Sequence, residues 1–147
     1  MAVVFSRACE YALRALFEMA RHPEHDNWTV QDLAQRVEIP APFLAKTFQT
    51  LVKGRILISS KGRTGGFIFA RKPATISLLQ VVEIIDGTSL AKDCALGLPS
   101  CSETNPCPFH SHWKSVREAI IDALRSESLV QVAKKRNNPV QPTTRRS

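Results

Sequence analysis

Long apolar runs are missing from this 147-residue chain. Spanning a bilayer takes ~20 consecutive apolar residues, and Arg7, Glu10 and Arg14 interrupt the start of the chain where a secretory leader needs an unbroken apolar stretch. The expectation is a cytoplasmic protein with no membrane partner. Also missing are a glycine-rich phosphate loop, a paired-carboxylate motif and any third group to orient a Cys–His pair such as Cys107 and His110. The reading is therefore not an enzyme. Disorder is excluded by composition, with 44% hydrophobic and 22% charged residues. The length suits one domain, with or without an arm, that buries a proper core.

Acid is absent where it matters most. From Ile39 to Val82 the chain carries Lys46, Lys53, Arg55, Lys61, Arg63, Arg71 and Lys72 and no Asp or Glu, and Lys134 to Ser147 holds five more bases, again without an acid. Of the 20 bases and 13 acids overall, eight bases and all 13 acids lie elsewhere, so the net +7 divides into a body of −5 and two basic segments. That separation is the electrostatic footprint of a protein that binds a phosphate backbone. Simple electron carriage would leave it unexplained.

Apolar periodicity organises the rest. Ser6 is placed to cap a helix from about Arg7 to Arg21, with Ala8, Tyr11, Ala12, Ala15, Leu16 and Met19 at helical spacing. After His22-Pro23 and a polar loop, Thr29 and Asp32 read as a capping box for a short helix, Val30 to Val37. The turn Ile39-Pro40-Ala41-Pro42 leads into a second amphipathic helix through Leu44, Phe48 and Leu51, which stops at Gly54. Two β-prone runs follow, Ile56 to Ser60 and Gly66 to Ala70, joined by Lys61-Gly62-Arg63-Thr64-Gly65. A helix-turn-helix followed by a hairpin with a basic tip is a winged helix, in which the second helix enters the major groove and the wing approaches the backbone or the minor groove.

On that second helix Pro42, Ala45, Lys46 and Gln49 lie opposite Leu44, Phe48 and Leu51, which makes them the candidate DNA readers. Gln49 can pair bidentately with adenine, and Lys46 can reach guanine or a phosphate. Lys61 and Arg63 are the wing candidates, since a glycine-flanked base at a hairpin tip has no role in a core. Phe43 and Phe48 are expected inside, as are Trp28 and Trp113. Ser77 and Gln80 form a capping box for a helix ending at Asp86-Gly87. A loop of about twenty residues separates it from a long helix starting near His112, apolar on both faces and suited to pairing with a partner helix, and from a short helix, Leu129 to Arg136. The fold class expected is mainly α with a small β-hairpin wing: a winged helix-turn-helix over residues 1–72, a ligand-binding loop with long C-terminal dimerisation helices over 73–136, and a disordered basic tail over 137–147.

Three of the four cysteines, Cys94, Cys101 and Cys107, fall in the long loop with six and five residues between them. In a reducing compartment clustered cysteines point to metal or redox chemistry. Three thiolates suit an iron–sulfur cluster or zinc, and free redox thiols are a third possibility. The wide gaps, with Gly97, Pro99 and Pro106, suit wrapping a core larger than one ion. The candidates for a fourth ligand are Cys9, Glu10, His110 and His112. Cys9 also reads as a small packed residue beside an apolar face, and Glu10 as an acid favourably placed in the first turn of a helix.

The sequence of segments EYALRAL, LVKGRIL, KGRTGGF, ISLLQVVEIIDG and NPCPFHSHW resembles the IscR/NsrR family of winged-helix transcription regulators over nearly everything before the tail. The resemblance implies a homodimer with crossed C-terminal helices, a double-stranded DNA operator, and an iron–sulfur cluster on Cys94, Cys101 and Cys107 whose integrity governs transcription, with repression the expected sense. The cysteine spacing and the acid in EYALRAL look like the nitric-oxide-sensing NsrR members. In those an acid from the partner subunit's first helix completes a four-iron cluster, which implies Glu10 as the fourth ligand and a 4Fe-4S rather than a 2Fe-2S cluster. Glu10 is one methylene longer than the aspartate more familiar there. IscR members use a histidine separated by two residues from the group's last cysteine, which implies His110 as the alternative. Other relatives lack a cluster and act through a partner protein, so a thiol- or zinc-dependent regulator on the same fold is the rival reading.

Overall fold

A computed structural model describes residues 4–60, 65–98 and 102–135. The first helix, α1 (Arg7–Arg21), begins where Ser6 accepts a hydrogen bond from the Cys9 amide, and ends at His22. Its inner face, Cys9, Ala12, Leu16 and Met19, is the axis of the core. Helix α2 (Val30–Val37) starts at Thr29, whose hydroxyl accepts from the Asp32 amide, and closes on a left-handed Glu38. The Thr29–Asp32 capping box is thus observed in one of its two bonds. Helix α3 (Ala41–Lys53) follows directly, and its N-terminus carries no side-chain cap.

Strands β1 (Leu57–Ser60) and β2 (Gly66–Phe69) pair antiparallel, with Ile58 opposite Ile68 and Ser60 opposite Gly66. The hairpin is tied to the body on its β2 side. The backbone of Trp28 exchanges two hydrogen bonds with that of Phe67, at 3.0 and 2.7 Å, while Asn27 accepts from the Ser60 hydroxyl at 3.0 Å. At Gly66 a Cβ would stand 2.5 Å from the Trp28 carbonyl oxygen, so the close approach requires glycine.

A 3-10 turn at Pro73–Thr75 leads to α4 (Leu78–Asp86), opened by the reciprocal Ser77–Gln80 capping box. The long loop expected next contains a single turn of helix, α5 (Ser89–Lys92). Then α6 (His110–Ser126) runs two residues longer at its start than its apolar pattern predicts, and α7 (Leu129–Lys134) opens on a second full capping box, Ser128–Gln131. The chain comes back on itself here: Leu129 donates to the Ile76 carbonyl at 2.9 Å and Leu78 to that of Glu127 at 3.0 Å, and α7 packs against α1.

The core is continuous. Leu33, Leu44, Phe48, Leu51, Ile56 and Phe67 share one cluster with the inner face of α1, and Ile76, Val81, Val82, Leu124 and Leu129 belong to it as well. Trp28 and Phe48 are inside, as expected, but Phe43 is 39% exposed and stands edge-on to Tyr11 with ring centroids 5.2 Å apart. The reason is its place in the first turn of α3, on the side turned away from Leu44 and Phe48. One charge is buried at the base of this assembly. Glu18, 4% exposed, holds Arg21 at 3.2 Å, His22 at 3.1 Å and Arg36 at 3.3 Å, and so joins α1 to α2. Arg21 in turn donates to the Ala133 carbonyl at 3.2 Å and fastens α7. No described helix is long and apolar enough to cross a membrane.

Candidate nucleic-acid interface and cysteine loop

Helix α3 presents Pro42, Lys46 and Gln49 to solvent along one stripe, with Ala45 half-buried beside them. The opposite side, Leu44, Phe48 and Leu51, is fully buried, so the helix is anchored by one face and offers the other. Its N-terminal amides lack a side-chain cap and an acid in the first turn, leaving the positive end of the helix dipole open to an anion. Arg14 lies over the ring of Tyr11 at 5.3 Å, and Tyr11 meets Phe43. Sequence periodicity places Tyr11 in the core and passes over Arg14; their spacing of three residues in α1 is the signal that would have paired them. Lys61 and Arg63 lie outside the described residues.

The cysteine loop is held to α6 by three ties. His110, the first residue of α6, donates its amide to the Cys107 carbonyl at 3.0 Å. Trp113 donates its indole N–H to the Asp93 carbonyl at 3.2 Å, and Lys114 pairs with Glu103. Within this frame a turn closes from Cys94 to Gly97, whose amide donates to the Cys94 carbonyl at 3.0 Å. Gly97 adopts φ of +79°, a left-handed conformation that a side chain would strain.

The turn folds the following backbone over its own first side chain. The Leu96 amide donates to Cys94 Sγ at 3.4 Å, and the amides of Leu98 and Gly97 also face that sulfur. The Cys107 thiol hydrogen-bonds to it from the far side of the loop. These donors, the Leu98 and Leu96 amides foremost, hold the Cys94 thiol below the ordinary thiol range, outweighing its burial. Cys94 and Cys107 are each 8% exposed. Cys9 is the contrast: fully buried in α1, its thiol is pushed up to about 12, first by desolvation and then by Asp86 and Glu10. It is a packed residue of the core cluster, as its place beside the apolar face suggests.

A nest of amides around a sulfur suits a thiolate that carries charge or binds a soft metal. The donor set therefore fits a thiolate-ligated centre, with two of its cysteines already together. Cys101 lies outside the described residues. His110 is half-buried at the start of α6, His112 is exposed two residues on, and Glu10 is half-buried in the first turn of α1. Among the described residues no three His, Cys, Asp or Glu side chains converge on a metal position. The amide donors could not be read from the sequence beyond the turn-forming Gly97.

Comparison with known proteins bears on both features. A model of the Rrf2 family, described as iron-dependent transcriptional regulators, matches residues 5–135. An HTH-type transcriptional regulator of Aquifex aeolicus is 32% identical over 94% of this chain and 99% of its own length. The regulator IscR of Xenorhabdus nematophila is 27% identical over 84% of this chain and 75% of its own. Among solved structures, CymR, the global cysteine regulator of B. subtilis, superposes with a TM-score of 0.76 at 19% identity, covering 93% of this chain and all of its own. IscR of T. potens gives 0.73 at 23% identity, with 92% and 88% covered. These two share the fold: α3 is the second helix of a helix-turn-helix and β1–β2 its wing. The chain belongs to the Rrf2 family of helix-turn-helix transcriptional regulators and is not an enzyme.

Proposed function

We propose that this regulator is a homodimeric, cytoplasmic repressor of DNA operators, controlled by an iron–sulfur cluster held on Cys94, Cys101 and Cys107. The observation that carries the reading is the amide nest around Cys94 with the Cys107 thiol set against it. Glu10 of a partner subunit is the favoured fourth ligand and His110 the alternative, and the 4Fe-4S form is favoured over 2Fe-2S. When bound, the cluster supplies iron open to attack by nitric oxide or oxygen and to loss when iron is short.

The chain's own residues give that centre a mechanical outlet. The loop is tied to α6 through Trp113 and Lys114, and α6 carries Val116, 49% exposed, on one surface with Ala119 and Ala123. That surface suits a second α6, so the state of the loop would set the separation of two winged helices, which operator half-sites roughly 34 Å apart read as affinity. Residues 1–72 would read DNA through Pro42, Ala45, Lys46, Gln49, Lys61 and Arg63 and residues 73–136 would sense, while the basic segment 137–147 lies outside the described residues.

A thiol-based reading is favoured by one observation, the direct hydrogen bond between the thiols of Cys94 and Cys107. A peroxide could take two electrons from such a pair, oxidising one thiol to a sulfenic acid whose hydroxyl the other displaces as water to close a disulfide, and the fold is shared with a cysteine regulator. One experiment separates the readings: an absorbance spectrum with iron, sulfide and zinc analysis on protein purified without oxygen, then exposed to nitric oxide. A brown protein that bleaches, and a Cys94→Ala variant without iron, are expected. A colourless protein holding zinc or no metal would overturn the cluster and leave the thiol- or zinc-dependent regulator.

A further inference from the structure

Arg117 is the one buried cation of α6, 9% exposed, and its Nη1 atom is enclosed without a hydrogen-bond acceptor among the described residues. That nitrogen has given up hydration without gaining a hydrogen bond in return, which lowers stability in general. Leucine would fill a helix position more cheaply. Costs of this kind collect where a group is waiting for a partner.

Its place in the fold says which partner. Arg117 lies one turn beyond Trp113 and two beyond His110 on the same face of α6, the face fastened to the cysteine loop. Long side chains on a helix lean back toward its N-terminus, and one turn back from Arg117 stands Trp113, whose indole holds the Asp93 carbonyl next to Cys94 in the chain. Arg117 is also close enough to Lys114 to repel it electrostatically. The two cations are not equivalent. Lys114 is already paired with Glu103 at the loop's edge, whereas no described acid pairs with Arg117.

We propose that Arg117 is a positioning residue that balances, from within α6, the negative charge of the thiolate-ligated centre on Cys94 and Cys107. The proposal rests on the sensing reading above. Several thiolates, with or without a carboxylate, leave such a centre anionic, and an unpaired guanidinium on the helix face that holds its loop meets the electrostatic need of both. The cost borne by the metal-free chain is then repaid on binding, which links occupancy of the loop to the packing of α6 against α4.

The sign of two effects tests this. In metal-free protein Arg117→Met is expected to raise the melting temperature, because an uncompensated buried charge has gone. In protein reconstituted anaerobically with iron and sulfide, the same variant is expected to lose iron to a chelator about 10–100-fold faster and to show a more negative midpoint potential, with Arg117→Lys restoring part of both. If Arg117→Met keeps wild-type chelator resistance and potential, or if its metal-free form melts lower, the residue is a packing element and the proposal fails alone. If wild-type protein takes up no iron and sulfide, the sensing reading fails first and takes the proposal with it.

Discussion

At the scale of single residues, buried charge separates what holds the fold from what serves the site. Glu18 and Arg117 are both almost fully buried, yet Glu18 is surrounded by Arg21, His22 and Arg36 while Arg117 Nη1 has no acceptor among the described residues. Removing one member of a satisfied buried set leaves the others uncompensated. Glu18→Gln is therefore expected to cost about 3 kcal/mol in urea unfolding, with Arg21, at 11% side-chain exposure, suffering more than the more exposed Arg36. A loss below about 1 kcal/mol would mean that water screens these pairs as it does surface ones. Neither role is legible in the sequence. Glu18 reads as a polar interruption of an apolar stripe and Arg117 as an ordinary charge in a helix, because burial depends on α2, α7 and α4 arriving from elsewhere in the chain.

Among elements, legibility follows the range of the forces involved. The starts of α1, α4 and α7 are fixed by hydroxyl-to-amide bonds over three residues, and Ser6 and Ser77 can be picked out from the order of residues alone. Amphipathic spacing likewise gives α2 and α3. Contacts at long range are another matter: α5 has too few residues to show a period, Phe43 is turned outward by its position in the first turn of α3, and the sulfur-facing amides belong to backbone. The cysteines that make up the site are visible as a spacing, and their cradle is not. The wing shows the same division, since its two strands are readable and its docking onto Trp28 is tertiary. Gly66→Ala tests that docking. The new methyl would meet the Trp28 carbonyl and the Asn27 amide within 2.8 Å, forcing β2 away from the body. The expected results are a stability loss of about 1–3 kcal/mol in urea and a weakened operator complex, measured by fluorescence anisotropy. Undiminished DNA affinity would show that the wing contributes nothing from its docked position.

For the whole molecule the governing fact is the separation of charge, a body of −5 carrying a basic middle segment and a basic tail. A uniformly basic protein would be drawn to nucleic acid by any surface, whereas on the proposed reading the acidic body is repelled and the acid-free segment that carries α3 and β1–β2 turns to the duplex. Field and shape agree, because the uncapped N-terminus of α3 and its stripe of Pro42, Lys46 and Gln49 lie within the segment that has no acid. Binding should accordingly fall steeply with salt, as each neutralised phosphate releases close to one counterion. Lys46→Ala and Lys61→Ala, assayed on one operator across a salt series, are each expected to flatten the plot of log affinity against log salt by about one unit per half-site. Gln49→Ala should leave the slope alone and instead relax the choice of base, since a neutral amide reads an edge and displaces no ion. If Lys46→Ala leaves the slope unchanged while altering sequence preference, Lys46 is reading a guanine rather than a phosphate, and the positive end of α3 supplies the backbone contact.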